Sequence, residues 1–410
     1  MKVQQRLTAL LTLATLTTAL GLPAIAEPIG RIKSMTGNVQ LKRNGWSTFR
    51  PVATNAEFKL GDLLLPAANA KVNILCPDFT ERPVRSGVQS GLKGVCPTLS
   101  RKAGRGPNPA DGTLGGLNAQ IPYIISPRRT LLLHSKPTLR WNPVTGAKQY
   151  TVQVIGPKGV VWQTKVKQPE VMYPGKPLLQ PGVPHTLLVQ TDTGASSKSD
   201  GASGLEFRVL RDSELKALQT EVTKLPQRDL KTVAVALTLA NLYRNYALPK
   251  PAAPSYGIPA KEIGTHNLSA EGIEILTALI TKGDRSPAIY RMLGDLYWQI
   301  GLAQPAIAQY LKAIELATKP EDLEDRTEAQ FSLGEIYAAT KDLPQAVRWY
   351  SQAKDGYSSL GDSQRVRFLE GQIQTLQSAT ISKSKKVPKL KIAKDAFRQA
   401  FECIPISKNA

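Results

Sequence analysis

The spacing of apolar residues changes once along this 410-residue chain. From Glu27 to about Leu210, apolar and polar positions alternate in short runs, which predicts strands; beyond Asp212 they recur every three to four residues, which predicts helices. In "GNVQLKRNGWSTFR" the alternation flanks Asn44-Gly45, a short-range hairpin signal. "FKLGDLLLPAANAKVNILC" adds two more strands. Residues 98–120 are rich in Gly and Pro and poor in large apolar side chains, so a linker is expected there. Their glycines lack the Gly-Lys-Ser/Thr ending and the following helix of a phosphate loop. Strands resume with Leu139 and Trp141, then Tyr150, Val152 and Val154, then "GVVWQTKV", "HTLLVQTD" and "GLEFRVL", at the intervals of a β-sandwich.

The helical half opens with "SELKALQTEVTKL", a bridging amphipathic helix, and "DLKTVAVALTLANLYRNYAL". A loop, "PKPAAPSYGIPAKEIGTHN", holds four prolines that a continuous helix excludes. "SAEGIEILTALIT" then starts with Ser269 as N-cap and Glu271 in its first turn. Two later segments, "LGDLYWQIG" and "LGEIYAATK", both place glycine inside a helix, where it costs about 1 kcal/mol relative to alanine. At an offset of 40, Leu293, Gly294, Tyr297, Ala306, Tyr310 and Ala313 fall on Leu333, Gly334, Tyr337, Ala346, Tyr350 and Ala353.

That order resembles the tetratricopeptide repeat (TPR), whose unit spans about 34 residues. The resemblance implies antiparallel helix pairs over 287–320 and 327–360, with "PEDLED" (Pro320 to Asp325) lengthening the turn between them. Gly294 is expected to meet the next helix near Ala306 or Ala313. A degenerate unit is expected at 229–284, where Leu239, Ala240 and Tyr243 precede Gly272, Leu276 and Leu279, and a capping helix at 363–378. In such arrays the first helices line a concave groove for a peptide or partner helix. By helical phase its positions are Asn241, Arg244, Arg291, Asp295, Trp298, Phe331 and Glu335. Trp298 is the hot-spot type in that set; packing against the insertion loop or a neighbouring domain is the other reading of it.

Two further resemblances cover the β half. Over 27–97, Gly37-Asn38-Val39, then "LGDLLLP", then an alternating strand is similar to the FecR-like domain of bacterial periplasmic proteins, where Gly61-Asp62 would be a structural turn. Where that family has Asp-Gly after the last strand, this chain has "CPDFTERP". Over 121–211, Leu-x-Trp-x-Pro around Trp141, then Tyr150, then Leu-x-Pro-Gly, resembles a fibronectin type III-like sandwich with Trp141 in its core. His185 stands where that family commonly has Tyr, and is expected to be a strand residue. The expected fold class is multidomain β plus α: a small β domain, a β-sandwich and an α-solenoid of TPR helix pairs.

Residues 1–26 have a basic start (Lys2, Arg6), an apolar stretch and an Ala24-Ile25-Ala26 ending, the pattern of a cleaved signal peptide, so a periplasmic or secreted mature chain is expected. In an oxidising compartment a Cys76–Cys96 disulfide is expected, two free buried thiols being the other reading of the pair, and Cys403 stands apart. The three histidines (His134, His185, His266) match no zinc or haem spacing, and no catalytic motif occurs, so no cofactor, metal or enzymatic role is expected. The net charge of +21 lies outside the repeats: 213–363 carry 16 basic and 18 acidic groups. For an exported chain such surplus points to anionic lipid, acidic glycan or acidic protein rather than nucleic acid. The tail 381–410 has a lysine run followed by an apolar stripe that includes Phe397 and Phe401, suited to docking on the repeats or to a membrane surface. The leading expectation is a non-enzymatic envelope scaffold that binds a protein or peptide in its TPR groove; the alternative is a glycan- or peptidoglycan-binding protein using the basic β domains.

Overall fold

A computed structural model describes residues 29–77, 79–96, 114–222, 232–246 and 267–386. The leader, most of the 98–120 segment, and Phe397, Phe401 and Cys403 lie outside the described residues.

The first domain is built from strands β1 (Gly30–Thr36), β2 (Val39–Lys42), β3 (Arg50–Pro51), β4 (Glu57–Phe58), β5 (Leu63–Pro66), β6 (Lys71–Leu75), β7 (Glu81–Val84) and β8 (Ser90–Gly91), closed by the short helix α1 (Leu92–Val95). They form two antiparallel four-stranded sheets, β4-β1-β6-β7 and β3-β2-β5-β8, around Ile32, Leu41, Phe58, Leu64 and Ile74. Cys76 and Cys96 are disulfide-bonded across a sequence separation of 20, with Cα atoms 5.6 Å apart. Two turns differ from expectation. Asn44-Gly45 does not make a two-residue hairpin: β2 and β3 are joined by the seven-residue loop 43–49, because that loop is drawn outward to pair with the helical region. The β6–β7 hairpin forms although Asp-Gly is missing, with Phe79 taking the positive φ of +64° that glycine would supply.

The second β region has strands β9 (Ile124–Ser126), β10 (Thr130–Leu132), β11 (Thr138–Trp141), β12 (Tyr150–Gly156), β13 (Gly159–Val166), β14 (Glu170–Met172), β15 (Thr186–Thr191) and β16 (Phe207–Val209). Sheets β14-β11-β9 and β13-β12-β15 enclose one core, and β10 pairs in parallel with β16. Trp141 is fully buried there, edge-on to Tyr150 with ring centroids 5.4 Å apart. His185 exchanges two backbone hydrogen bonds of 2.8 Å with Phe207 and stacks on its ring, a packed strand-edge residue.

The helices are α2 (Asp212–Val222), α3 (Val233–Arg244), α4 (Ser269–Thr281), α5 (Pro287–Gln299), α6 (Ala303–Leu316), α7 (Leu323–Ala339), α8 (Leu343–Leu360) and α9 (Ser363–Lys386). Pairs α3/α4, α5/α6 and α7/α8 pack in succession, with α9 against α8. Leu293, Leu333 and the four alanines at 306, 313, 346 and 353 are buried, while Tyr297 and Tyr337 are partly buried at the pair interfaces. Gly294 does not face an alanine: a Cβ there would lie 2.7 Å from Cε1 of Tyr310, so the glycine makes room for the ring. Gly334 does the same for Tyr350. In the degenerate pair, a Cβ on Gly272 would be 3.7 Å from the Ala240 Cα and 3.1 Å from Leu296.

"PEDLED" is not merely a longer turn. Pro320–Asp322 form a 3-10 turn, and Leu323 to Asp325 begin α7, so the added residues lengthen a helix. Nor do the described residues of the linker hang free. Gly115 N donates to Gly301 O at 2.8 Å, Ala303 N donates to Gly115 O, and Gly116 N donates to Asp200.

The β and helical parts share apolar cores. Leu75 and Phe79 of the first domain, Leu131 and Leu210 of the second, and Leu218, Val235, Leu239 and Tyr243 of the helices form one buried cluster.

Candidate functional site

Three groove positions are occupied from within the chain. Arg291 projects from α5 toward the first β domain, where one guanidinium nitrogen lies 3.1 Å from Glu57 Oε1, and it donates to Asp325 at 2.7 Å. Burial alone would lower its pKa, but Glu57, Asp325 and Asp295 hold it well above the ordinary value. Glu57 responds in kind: burial would raise its carboxyl, yet Lys59, Arg291 and Arg31 hold it well below the usual range. Asp295 is buried and accepts hydrogen bonds from the Tyr310 hydroxyl at 2.7 Å and from Arg244 at 2.9 Å. Phe331 lies among Tyr350, Tyr357 and Phe368, with ring centroids 5.9, 6.3 and 6.4 Å away.

Trp298 packs within the helical region. It is half-buried against the cluster around Tyr290, Ala303 and Leu333, so its ring fills space between helices. Asn241, Arg244 and Glu335 remain reachable by solvent, Arg244 with 35% of its side chain exposed. Glu335 is exposed, with surrounding protein close on its flanks. Crowding by the groove walls, then the Glu328 and Asp295 carboxylates, push its pKa up to about 7.

What fills the rest of the concave face comes from the first β domain, a partner that groove periodicity did not indicate. Arg43, at the end of β2, donates to both carboxylate oxygens of Glu324 at 2.7 and 2.5 Å and is paired with Asp62. Burial works against the Arg43 charge; Glu324 and Asp62 more than reverse that effect. Asp62 of the Gly61-Asp62 turn also accepts from Lys59 N at 2.8 Å, so this structural turn orients a buried ion pair. Beyond it, Trp46 bridges to Asp362 and packs among Tyr350, Tyr357 and Leu360; Ser47 N donates to Gly361 O at 3.2 Å. Between the two surfaces lies a cleft of about 350 Å³ whose lining includes Arg31, Arg50, Lys59, Lys319 and Arg326.

The sequence signal for this contact was the inserted "PEDLED". Its Glu324 and Asp325 carry the carboxylates that receive Arg43 and Arg291.

No family model and no curated protein matches the chain. Among solved structures, the chain is similar to the MamA protein at 20% identity, covering 44% of this chain and 92% of that one, with a TM-score of 0.25. It is also similar to a glutamine-to-methionine variant of the TPR-like repeats of a Podosopora anserina kinesin light chain at 18% identity, covering 42% and 85%, with a TM-score of 0.24. The same repeats without that substitution give 18%, 41%, 84% and 0.24.

Proposed function

We propose that the protein is a non-enzymatic scaffold of the bacterial cell envelope, exported by its leader, that grips a protein partner along the uncovered part of its helical groove. The FecR-like reading of 27–97 and the fibronectin type III-like reading of 121–211 belong to the same proposal, as the parts that orient the repeats. The observation that carries it is the division of the concave face. Arg291, Asp295 and Phe331 are used internally; Arg244 pairs with Asp295 yet keeps 35% of its side chain exposed, Asn241 is partly exposed and Glu335 is exposed. The exposed carboxylate of the open part is Glu335, so the partner segment that meets it is basic. The glycan alternative loses ground, because Arg31, Arg43 and Lys59 of the basic β half are paired with Glu57, Asp62 or Glu324.

The test is crosslinking in the native envelope with the full chain, comparing wild type with Glu335→Lys and with Lys312→Ala, a partly exposed position on α6 paired with Glu315. A discrete partner lost with Glu335→Lys and kept with Lys312→Ala is expected. Identical crosslinks for all three proteins would sink the groove reading.

A further inference from the structure

The junction between the second β region and the helices holds a side-chain set unrelated to the groove. Strand β10 runs beside the start of α4: Leu131 N donates to Asn267 O at 2.7 Å, and Thr130 Oγ1 accepts from Ala270 N at 3.2 Å. The contact continues one residue further, where Leu133 N donates to Glu271 Oε1 at 2.9 Å. That bond fixes a carboxylate which is nine-tenths buried. Glu274 lies one helical turn on, on the same face of α4. His134, next in the chain after Leu133, brings its imidazole to the same place from the β side.

One ring nitrogen and one oxygen from each carboxylate all lie within 4.8 Å of one another. Among the described residues, no hydrogen bond or ion pair joins His134 to either glutamate. The three groups are thus close enough to share one ligand without being hydrogen-bonded to each other. An equilateral triangle at that limiting edge would have its centre about 2.8 Å from each corner, and first-row divalent ions bind nitrogen and oxygen at about 2.0–2.2 Å, a difference that small χ rotations close. Two carboxylates held together on one helix face are destabilising without a cation. Imidazole with carboxylate suits the borderline transition ions, zinc foremost, and three protein ligands leave a coordination position for water. The Leu133 amide plays the outer-shell role that keeps a ligating carboxylate oriented.

We propose that His134, Glu271 and Glu274 form a divalent transition-metal site, with zinc as its natural class of ion, that ties the second β region to the first helix pair. No spacing in the sequence announces it, because His134 is 137 positions from Glu271.

The full chain, stripped with chelator, is titrated with zinc chloride by calorimetry and with cobalt(II) by visible absorption. Wild type is expected to bind one equivalent, to develop a cobalt d–d band, and to melt at a higher temperature with zinc. His134→Ala and the isosteric Glu274→Gln should each weaken binding by about tenfold or more and abolish the thermal shift. Glu271 is left intact, since its bond to Leu133 supports the junction, and circular dichroism verifies that each variant is folded. Absence of binding by wild type, or binding that survives Glu274→Gln in a folded protein, overturns the assignment.

Discussion

Replacing Gly294 with alanine sets two effects against each other. Helix propensity alone favours alanine by about 1 kcal/mol in a helix interior. The packing opposes it, because the new Cβ would lie 2.7, 2.8 and 3.0 Å from three ring atoms of Tyr310. Carbon contacts are comfortable near 3.5–4.0 Å, so the ring must withdraw by about 1 Å. Tyr310 has little freedom to do so: it is 1% exposed, and its hydroxyl donates to the buried Asp295 at 2.7 Å. Overpacking costs about 1–3 kcal/mol, and drawing the hydroxyl off a carboxylate adds about 1.5–3 kcal/mol if the ring moves far enough. Packing wins, and Gly294→Ala is expected to destabilise the helical region by about 1–3 kcal/mol, read as a lower urea midpoint in far-ultraviolet circular dichroism. The double variant Gly294→Ala/Tyr310→Ala should lose less than the sum of the single losses, since the obstructing ring is gone. A single variant as stable as wild type, or strictly additive losses, would refute the argument.

Arg43→Ala leaves Asp62 and much of Glu324 without their cation in a buried setting, and should cost about 3 kcal/mol; faster proteolysis of the first domain and a lower denaturation midpoint would show it. Glu335 has a folded pKa of about 7 against an ordinary 4.5, so its contribution is present below pH 4.5 and is lost as pH rises through 7. Denaturation midpoints of wild type minus Glu335→Gln should therefore fall across that window, by less than about 1 kcal/mol because solvent reaches the carboxylate; parallel profiles would contradict this. Substituting Cys76 and Cys96 by serine removes a cross-link over a modest loop and should cost the first domain about 3 kcal/mol in the chain-entropy model, measured as the stability difference that added reductant abolishes in wild type.

The helical repeat was legible because its requirement is local and repeated: an unfavourable glycine recurring at a fixed offset has to be compensated by packing. The identity of the compensating neighbour was not legible. Gly294 meets Tyr310 rather than an alanine, since small residues bring the helices together while the large ring needs the one site without a side chain. Period-2 runs located most strands, but loop 43–49 could not be read from Asn44-Gly45, because its shape is set by Asp362 and Gly361 more than 300 residues away. Groove positions followed from helical phase. Phase gives the direction a side chain leaves its helix, and is silent about what another domain places in front of it. Arg291 therefore satisfied the pattern and is still covered by the first β domain, while Phe331 is covered by Tyr350, Tyr357 and Phe368 of the following helices.

The same insertion that breaks the 34-residue period explains why that covering is specific. Without an added turn, α7 would begin near Arg326 and the face opposite Arg43 would lack Glu324 and Asp325. With it, two carboxylates stand where two guanidinium groups approach from separate elements, Arg43 from the loop after β2 and Arg291 from α5. Ion pairs of this kind add little net stability when their desolvation is counted, but a mismatched register would strand four charges in a buried interface. The pairs therefore select one docking arrangement, while Trp46 and Phe79 supply the apolar burial that drives it. The consequence for function is a groove of defined length. In the proposed scaffold role, a partner reaching this face would meet Arg244 and Glu335 and go no further than the first β domain allows.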